Sequence, residues 1–290
     1  MQRDIKFYVN SWIFGRVPLA EAIHRTAAIG FDGVELKGEP REFNATEVAH
    51  MIKDAGLEVL SICGMFPGPG PDDLRLFSHP DAQERQKALD YVKACVDLAK
   101  EVGARSVLVT PNMVGRTRPF VSREADLDAA VEPMRKAAEY AGSMDILLTI
   151  EPINRYEVCL VNSIAEAIAL ARRIDHPACR VMGDTFHMQI EEGDGIPNAI
   201  RRAGHYWLQH LHAADNTREA PGMGTLPWRE ILRALHDIEF EGGISLEPLP
   251  KGASPYDVLS GNIPSEKLDA ELRFGLNHLR EMQRIVRMYV

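Results

Sequence analysis

The stretch Ile146-Leu147-Leu148-Thr149-Ile150-Glu151-Pro152 decides the reading of this chain. A continuous run of apolar or β-branched residues suits a strand buried on both faces, as in a parallel sheet, and the proline removes the next ladder donor. Glu151 therefore stands at the carboxyl end of a buried strand. The same grammar returns further on as Ile244-Ser245-Leu246-Glu247-Pro248. Between the two, Asp184 closes the run Cys179-Arg180-Val181-Met182-Gly183, and His210 and His212 close Tyr206-Trp207-Leu208-Gln209-His210-Leu211-His212. Four ionisable positions thus end four successive apolar strands.

Working outward, the same alternation covers the chain. Strands are expected at Ile5–Val9, Gly33–Leu36, Leu57–Cys63 and Ser106–Val109. Helices are expected from Pro18 to Ala28, from Thr46 to Ala55, and from Ser78-His79-Pro80 to Val102 with Ser or His as the cap. The last of these carries Leu89, Val92, Cys95, Val96, Ala99 and Val102 at helical spacing. Further helices are expected at about 124–140, 163–174, 196–203, 228–237 and 265–288, and a Gly/Pro-rich surface loop from Gly64 to Asp73. Glycines such as Gly30, Gly56, Gly103 and Gly142 stop helices ahead of strands. Eight strands alternating with helices imply right-handed βαβ crossovers, and the eightfold count favours closure into a single (β/α)8 barrel over 1–290. The doubly wound alternative would need a glycine-rich first turn, and Asn10-Ser11-Trp12-Ile13-Phe14-Gly15 is no GxGxxG.

At 290 residues the chain is long enough for one such barrel, and 45% apolar with 26% charged residues is ordinary for a globular core. A net charge of −9 argues against nucleic acid as a partner, since that affinity rests on clustered Lys and Arg. No apolar run approaches the roughly 20 residues of a membrane span, and Met1-Gln2-Arg3-Asp4 leads into a stretch too short and polar for a signal peptide. Cys63, Cys95, Cys159 and Cys179 lack metal-type spacing and read as reduced, mostly buried thiols of a cytoplasmic protein.

In a barrel of this kind chemistry sits at the carboxyl ends of the strands, where Glu151, Asp184, His210 or His212, and Glu247 fall. Three oxygen donors and one nitrogen suit Mn²⁺, Mg²⁺ or Co²⁺ better than a structural zinc. His210 and His212 share a strand face, so spacing alone does not choose between them. Just beyond the ligand strands, Glu157, His187 on the loop after Asp184, and Arg218 are candidates to clamp substrate hydroxyls. Cys63 reads as small apolar filler at the end of strand three.

The segments Glu151-Pro152-Ile153-Asn154-Arg155-Tyr156-Glu157, Gly183-Asp184-Thr185-Phe186-His187, His210-Leu211-His212 with Asp215-Asn216-Thr217-Arg218, and Ser245-Leu246-Glu247-Pro248 resemble the D-tagatose 3-epimerase and D-psicose 3-epimerase family, within the xylose isomerase-like TIM barrels. The resemblance is strongest from about Ser61 to Pro250 and weaker in the first strands and the last helix. It implies one divalent metal per chain, manganese first and magnesium or cobalt next, held by Glu151, Asp184, His212 and Glu247, and so selects His212 over His210. It further implies that Glu151 and Glu247 form an acid/base pair, that Glu157, His187 and Arg218 bind a small sugar, and that the chain forms a homodimer or homotetramer. The chain departs from the family at Asn10–Gly15, at Lys37–Arg41 and in the loop after Cys63, segments that shape the sugar pocket.

The resemblance favours 3-epimerisation of a free ketose through a metal-stabilised cis-enediolate, with one carboxylate removing a proton and the other returning one on the opposite face; return to the adjacent carbon would instead interconvert ketose and aldose, and the residues alone do not separate the two. Rival readings are another metal-dependent ketose or keto-acid isomerase or an inosose dehydratase or epimerase, an endonuclease IV-like nuclease, and a catalytically silent sugar-binding protein. The nuclease would need more metal ligands and a basic track, and the silent binder would not need both glutamates.

Overall fold

The computed structural model describes residues 4–64, 73–254, 257–258 and 265–289. The Gly64–Asp73 loop, except at its two ends, and Met1-Gln2-Arg3 lie outside the described residues. Eight strands, β1 (Lys6–Asn10), β2 (Gly33–Lys37), β3 (Glu58–Cys63), β4 (Ser106–Val109), β5 (Leu147–Ile150), β6 (Cys179–Asp184), β7 (Leu208–Ala213) and β8 (Gly243–Leu246), follow one another around a closed barrel. Every neighbouring pair is parallel, and β8 closes on β1 with Tyr8 opposite Ser245. The expected (β/α)8 architecture is therefore the one observed.

The helices are α1 (Leu19–Ile29), α2 (Ala45–Asp54), α3 (Ala82–Val102), α4 (Arg123–Ser143), α5 (Ile164–Ile174), α6 (Thr185–Glu191), α7 (Ile196–Trp207), α8 (Trp228–Asp237) and α9 (Ser265–Met288). Side-chain oxygens of Asn44, Asp81, Ser122 and Ser163 cap the amino termini of α2 to α5. The cap of α3 is thus Asp81 rather than Ser78 or His79, because His79 Nδ1 accepts the Asp81 N–H and turns that residue into the cap. Glycine does end α1 and α3, each in the left-handed region. Helix α4 instead runs through Gly142, and α5 stops on Asp175 at φ 54°, a conformation that a short polar side chain tolerates.

Two further elements escape periodicity. Ser11–Phe14 forms a 3₁₀ turn on which the Asn10 side chain accepts from Trp12 N–H. Residues 185–191 form α6, capped by Asp184 itself, so His187 stands on a helix and not on a loop. Tyr206 and Trp207 belong to the end of α7, and β7 begins only at Leu208.

Strand alternation sorts the barrel. The contacts of Glu35, His210, His212 and Glu247 with one another set them on the inner face, so Leu211, Ile244 and Leu246, all fully buried, lie on the outer face towards the helices. The apolar core is the layer between barrel and helices. The interior is polar where it approaches the carboxyl ends.

Candidate active site

Glu151 and Glu247 sit one residue past their strands, yet the ladder still holds them. Glu151 N–H donates to Val109 O at 3.0 Å and Glu247 N–H to Ala213 O at 3.1 Å. Proline follows each, so pairing ends there and the side chains are fixed at the rim. Asp184 pairs in register with His212 across β6 and β7, which brings two more donors to the same level. All four side chains are buried.

They converge on His212. Its Nδ1 lies 3.4 Å from Glu247 Oε2, 3.5 Å from Glu151 Oε1 and 3.9 Å from Asp184 Oδ2, and it has no hydrogen-bond partner among the described residues. Donors about 2.1 Å from a shared ion lie roughly 3–4 Å from one another, so this spacing and this unpartnered nitrogen fit a divalent cation. Three carboxylates and one imidazole suit the hard or borderline ions, not a thiophilic one. Three overlapping clusters of described residues could each hold an ion: Asp184, His212 and Glu247; Glu151, Asp184 and His187; and, deeper in the barrel, Glu35, His210 and His212.

Arg218 closes the arrangement. Its Nη1 donates to Asp184 Oδ2 and its Nη2 to Glu247 Oε2, each at 2.5 Å. The loop after β7 delivers it: Arg218 N–H bonds Asp215 O in a tight turn, the residue adopts φ 65°, and its carbonyl accepts from Leu249 N–H. Buried Asp215 organises that loop by accepting from the N–H groups of Asn216, Gly222 and Leu226 and from Trp228 Nε1. A Cβ at Gly224 would meet Asp215 Oδ1 at 2.3 Å and Asn216 Oδ1 at 2.2 Å, so any larger residue there must displace the side chains that hold the loop.

The other two sequence candidates form a separate edge of the site. Asn154 Nδ2 reaches both Glu157 Oε1 and His187 Nδ1 at 2.8 Å, while His187 Nε2 lies 3.9 Å from Asp184 Oδ2. Glu157, half exposed, and buried His187 thus flank the carboxylates.

Electrostatics separates the two glutamates. Burial pushes the Glu151 carboxyl upward, although His212 and His187 oppose it. Glu247 suffers the same burial, but His212 and Arg218 outweigh it and hold its carboxyl below the usual range. Against its own burial, Arg218 with His187 and His212 likewise holds Asp184 well down. Burial also disfavours an imidazolium at His212, yet Glu247 and Glu35 pull it well above the ordinary histidine value. These are the directions of a buried site that is rich in negative charge.

Sequence reasoning missed three contributors. Asn10 Nδ2 at 3.1 Å, from the end of β1, and Trp12 Nε1, from the 3₁₀ turn that follows, both donate to Glu247 Oε1. Glu35 Oε2, inside β2, is 2.8 Å from His212 Nε2. A carboxylate between Val34 and Leu36 in a strand with no exposed face was the available signal for Glu35. None marked Trp12, because an indole beside a strand end is ordinary core material.

Fold and site together define a class, a (β/α)8 barrel with a carboxylate- and histidine-lined site at the carboxyl ends of its strands. The profile described as xylose isomerase-like TIM barrel matches residues 23–281. The D-psicose 3-epimerase of Ruminiclostridium cellulolyticum is 32% identical over 89% of this chain and 90% of its own, and that of Agrobacterium fabrum 31% over 88% and 90%. A crystal structure of D-psicose 3-epimerase with D-tagatose from Clostridium cellulolyticum superposes with TM-score 0.83 at 26% identity, covering 96% of this chain and 99% of that one. The chain belongs to the xylose isomerase-like TIM barrel family, in the branch that holds the D-psicose 3-epimerases. No helix among the described residues is long and apolar enough to cross a membrane.

Proposed function

We propose that the chain is a metal-dependent 3-epimerase of a free ketose, with Glu151, Asp184, His212 and Glu247 as ligands of one divalent ion and Glu151 and Glu247 as the acid/base pair. The observation that carries this reading is the unpartnered His212 Nδ1 facing three carboxylate oxygens at 3.4–3.9 Å. The ion, when bound, supplies Lewis-acid stabilisation of the negative charge that develops as a proton leaves a carbon beside a ketone.

The remaining work falls to side chains. Glu247, kept ionised by His212 and Arg218 and held by Asn10 and Trp12, is the carboxylate suited to accept a proton. Glu151, whose carboxyl burial raises, is suited to hold one and give it back from the other side. Returning the proton on the opposite face inverts the carbon. Glu157, His187 and Arg218 present one acceptor, one imidazole and one guanidinium to substrate hydroxyls. The relatives are named for D-psicose, and one was crystallised with D-tagatose, which supports a ketohexose as the first substrate to try. Three carboxylates and one imidazole suit manganese as the ion, with magnesium or cobalt next, and the proposed assembly is a dimer or tetramer.

The deciding experiment incubates the enzyme with a panel of ketoses in D₂O. Deuterium should enter at C3 with formation of the C3 epimer. Its entry at C1 or C2 with an aldose as product would make the enzyme a ketose–aldose isomerase, and no exchange with any ketose would refute the proposal.

A further inference from the structure

The inner face of β2 places one carboxylate in the barrel interior, and its position is informative. Glu35 is 0% exposed and separated from His212 by most of the chain, yet its Oε2 lies 2.8 Å from His212 Nε2. Its other oxygen, Oε1, has no hydrogen-bond partner among the described residues. Burying a carboxylate with one oxygen unsatisfied is costly, and an apolar residue would fill a purely structural position more cheaply. His210, one layer deeper, stands edge-on to His212 with ring centroids 4.8 Å apart. Its Nε2 is 3.4 Å from the same Glu35 oxygen, a longer approach than that of His212, and neither of its nitrogens makes a hydrogen bond among the described residues. The deeper histidine therefore walls the pair in, and Glu35 is directed at His212.

An imidazole serves an ion only if the nitrogen facing it carries a lone pair and the other carries the proton. For His212 the nitrogen facing the three carboxylates is Nδ1, so Nε2 must keep its proton and needs an acceptor inside a closed barrel. We propose that Glu35 is a positioning residue: by accepting the Nε2–H of His212 it fixes the ring and reserves Nδ1 for the metal. The negative charge behind the ring also makes Nδ1 a stronger donor. This inference rests on the proposed metal role of His212.

Two measurements on the full chain test it. Mn²⁺ titration of the metal-stripped protein, followed by electron paramagnetic resonance, gives the dissociation constant. Imidazole ¹H–¹⁵N spectra of the metal-free protein report the His212 Nε2–H, with His212→Asn for assignment. Wild type should bind one Mn²⁺ and show an Nε2–H protected from exchange. Glu35→Leu should raise the Kd about 10–100-fold and lose that signal. Glu35→Gln, which keeps an acceptor oxygen without the charge, should fall between the two, whatever the melting temperatures. An unchanged Kd in Glu35→Leu would overturn the role of Glu35, as would equal losses in the Leu and Gln variants that track lost stability. Two Mn²⁺ per chain, one of them lost in both Glu35→Leu and His210→Ala, would replace it with a second ion site. Wild type that binds no Mn²⁺ but keeps the protected Nε2–H would bring down the metal reading instead.

Discussion

On the proposed ligand set a divalent ion would share two carboxylates with Arg218, which makes Arg218→Met a quantitative probe of the site. The guanidinium donates to Asp184 and Glu247 at 2.5 Å, and side-chain exposure is 16% for Arg218 against 0% and 6% for its partners. Breaking a buried pair by removing one member costs about 3–5 kcal/mol, because the other charge is left uncompensated. At roughly 2–4 °C per kcal/mol for a chain somewhat smaller than this one, the metal-free variant should melt about 5–15 °C below wild type. An ion that neutralises those carboxylates removes most of the penalty. If saturating Mn²⁺ reduces the deficit by about 2 kcal/mol, reciprocity of coupled equilibria requires the variant to bind Mn²⁺ about 30-fold more tightly than wild type. Differential scanning calorimetry with and without Mn²⁺ gives one side of this cycle, and metal titration the other. Turnover should fall in the variant even so, since the proposed substrate contact of Arg218 is lost. Equal destabilisation in the presence and absence of metal, with unchanged Mn²⁺ affinity, would refute the claim that arginine and ion share these ligands.

Exhaustive chelation should abolish epimerisation and Mn²⁺ or Co²⁺ should restore it, as read by product formation from the active ketose; full activity in metal-free protein would contradict the ligand set. His212→Ala should weaken Mn²⁺ binding by at least about 10-fold, whereas His210→Ala should lower the melting temperature and largely keep the metal; the reverse pattern in metal titration would invert the assignment. Trp12→Phe removes a hydrogen bond that favours ionised Glu247, so the acid limb of the kcat/KM profile should move to higher pH, and an unmoved limb would exclude Glu247 as the group that must be ionised. Gly224→Ala drives a Cβ against Asp215 and should disorder the turn that presents Arg218, lowering kcat/KM at least about 10-fold and melting by a few degrees at about 1–3 kcal/mol; wild-type kinetics would show that the loop absorbs the clash.

The strand count and order were legible because a buried parallel strand announces itself as an apolar run between helical periods, and because Gly or Pro marks most boundaries. Glu151 and Glu247 were legible for the same reason, each a charge that ends such a run before a proline. Helix α6 was not: at 185–191 it is too short to show a period, and its signal was the Asp184 cap, which had already been read as a ligand. Asp184 uses different oxygens for the cap and for the site, Oδ1 accepting from Phe186 N–H while Oδ2 meets Arg218. A residue with two roles gives the sequence reader one signal.

The contacts that complete the site share a different obstacle. Glu35, Asn10 and Trp12 act on His212 and Glu247 across barrel closure, between the first two strands and the last two, and local pattern carries nothing about partners so distant in sequence. What the pattern does carry is a conflict: Glu35 sits where neighbours on both sides demand an apolar residue. Closure of β1 on β8 resolves it, because the strand that carries Glu35 then lies near the strands of His212 and Glu247, and a costly buried charge finds the imidazole that needs it. A charge in the middle of a fully buried strand is thus a pointer to a partner elsewhere in the barrel, and ranking such positions beside the strand ends would have placed Glu35 in the site before any coordinates.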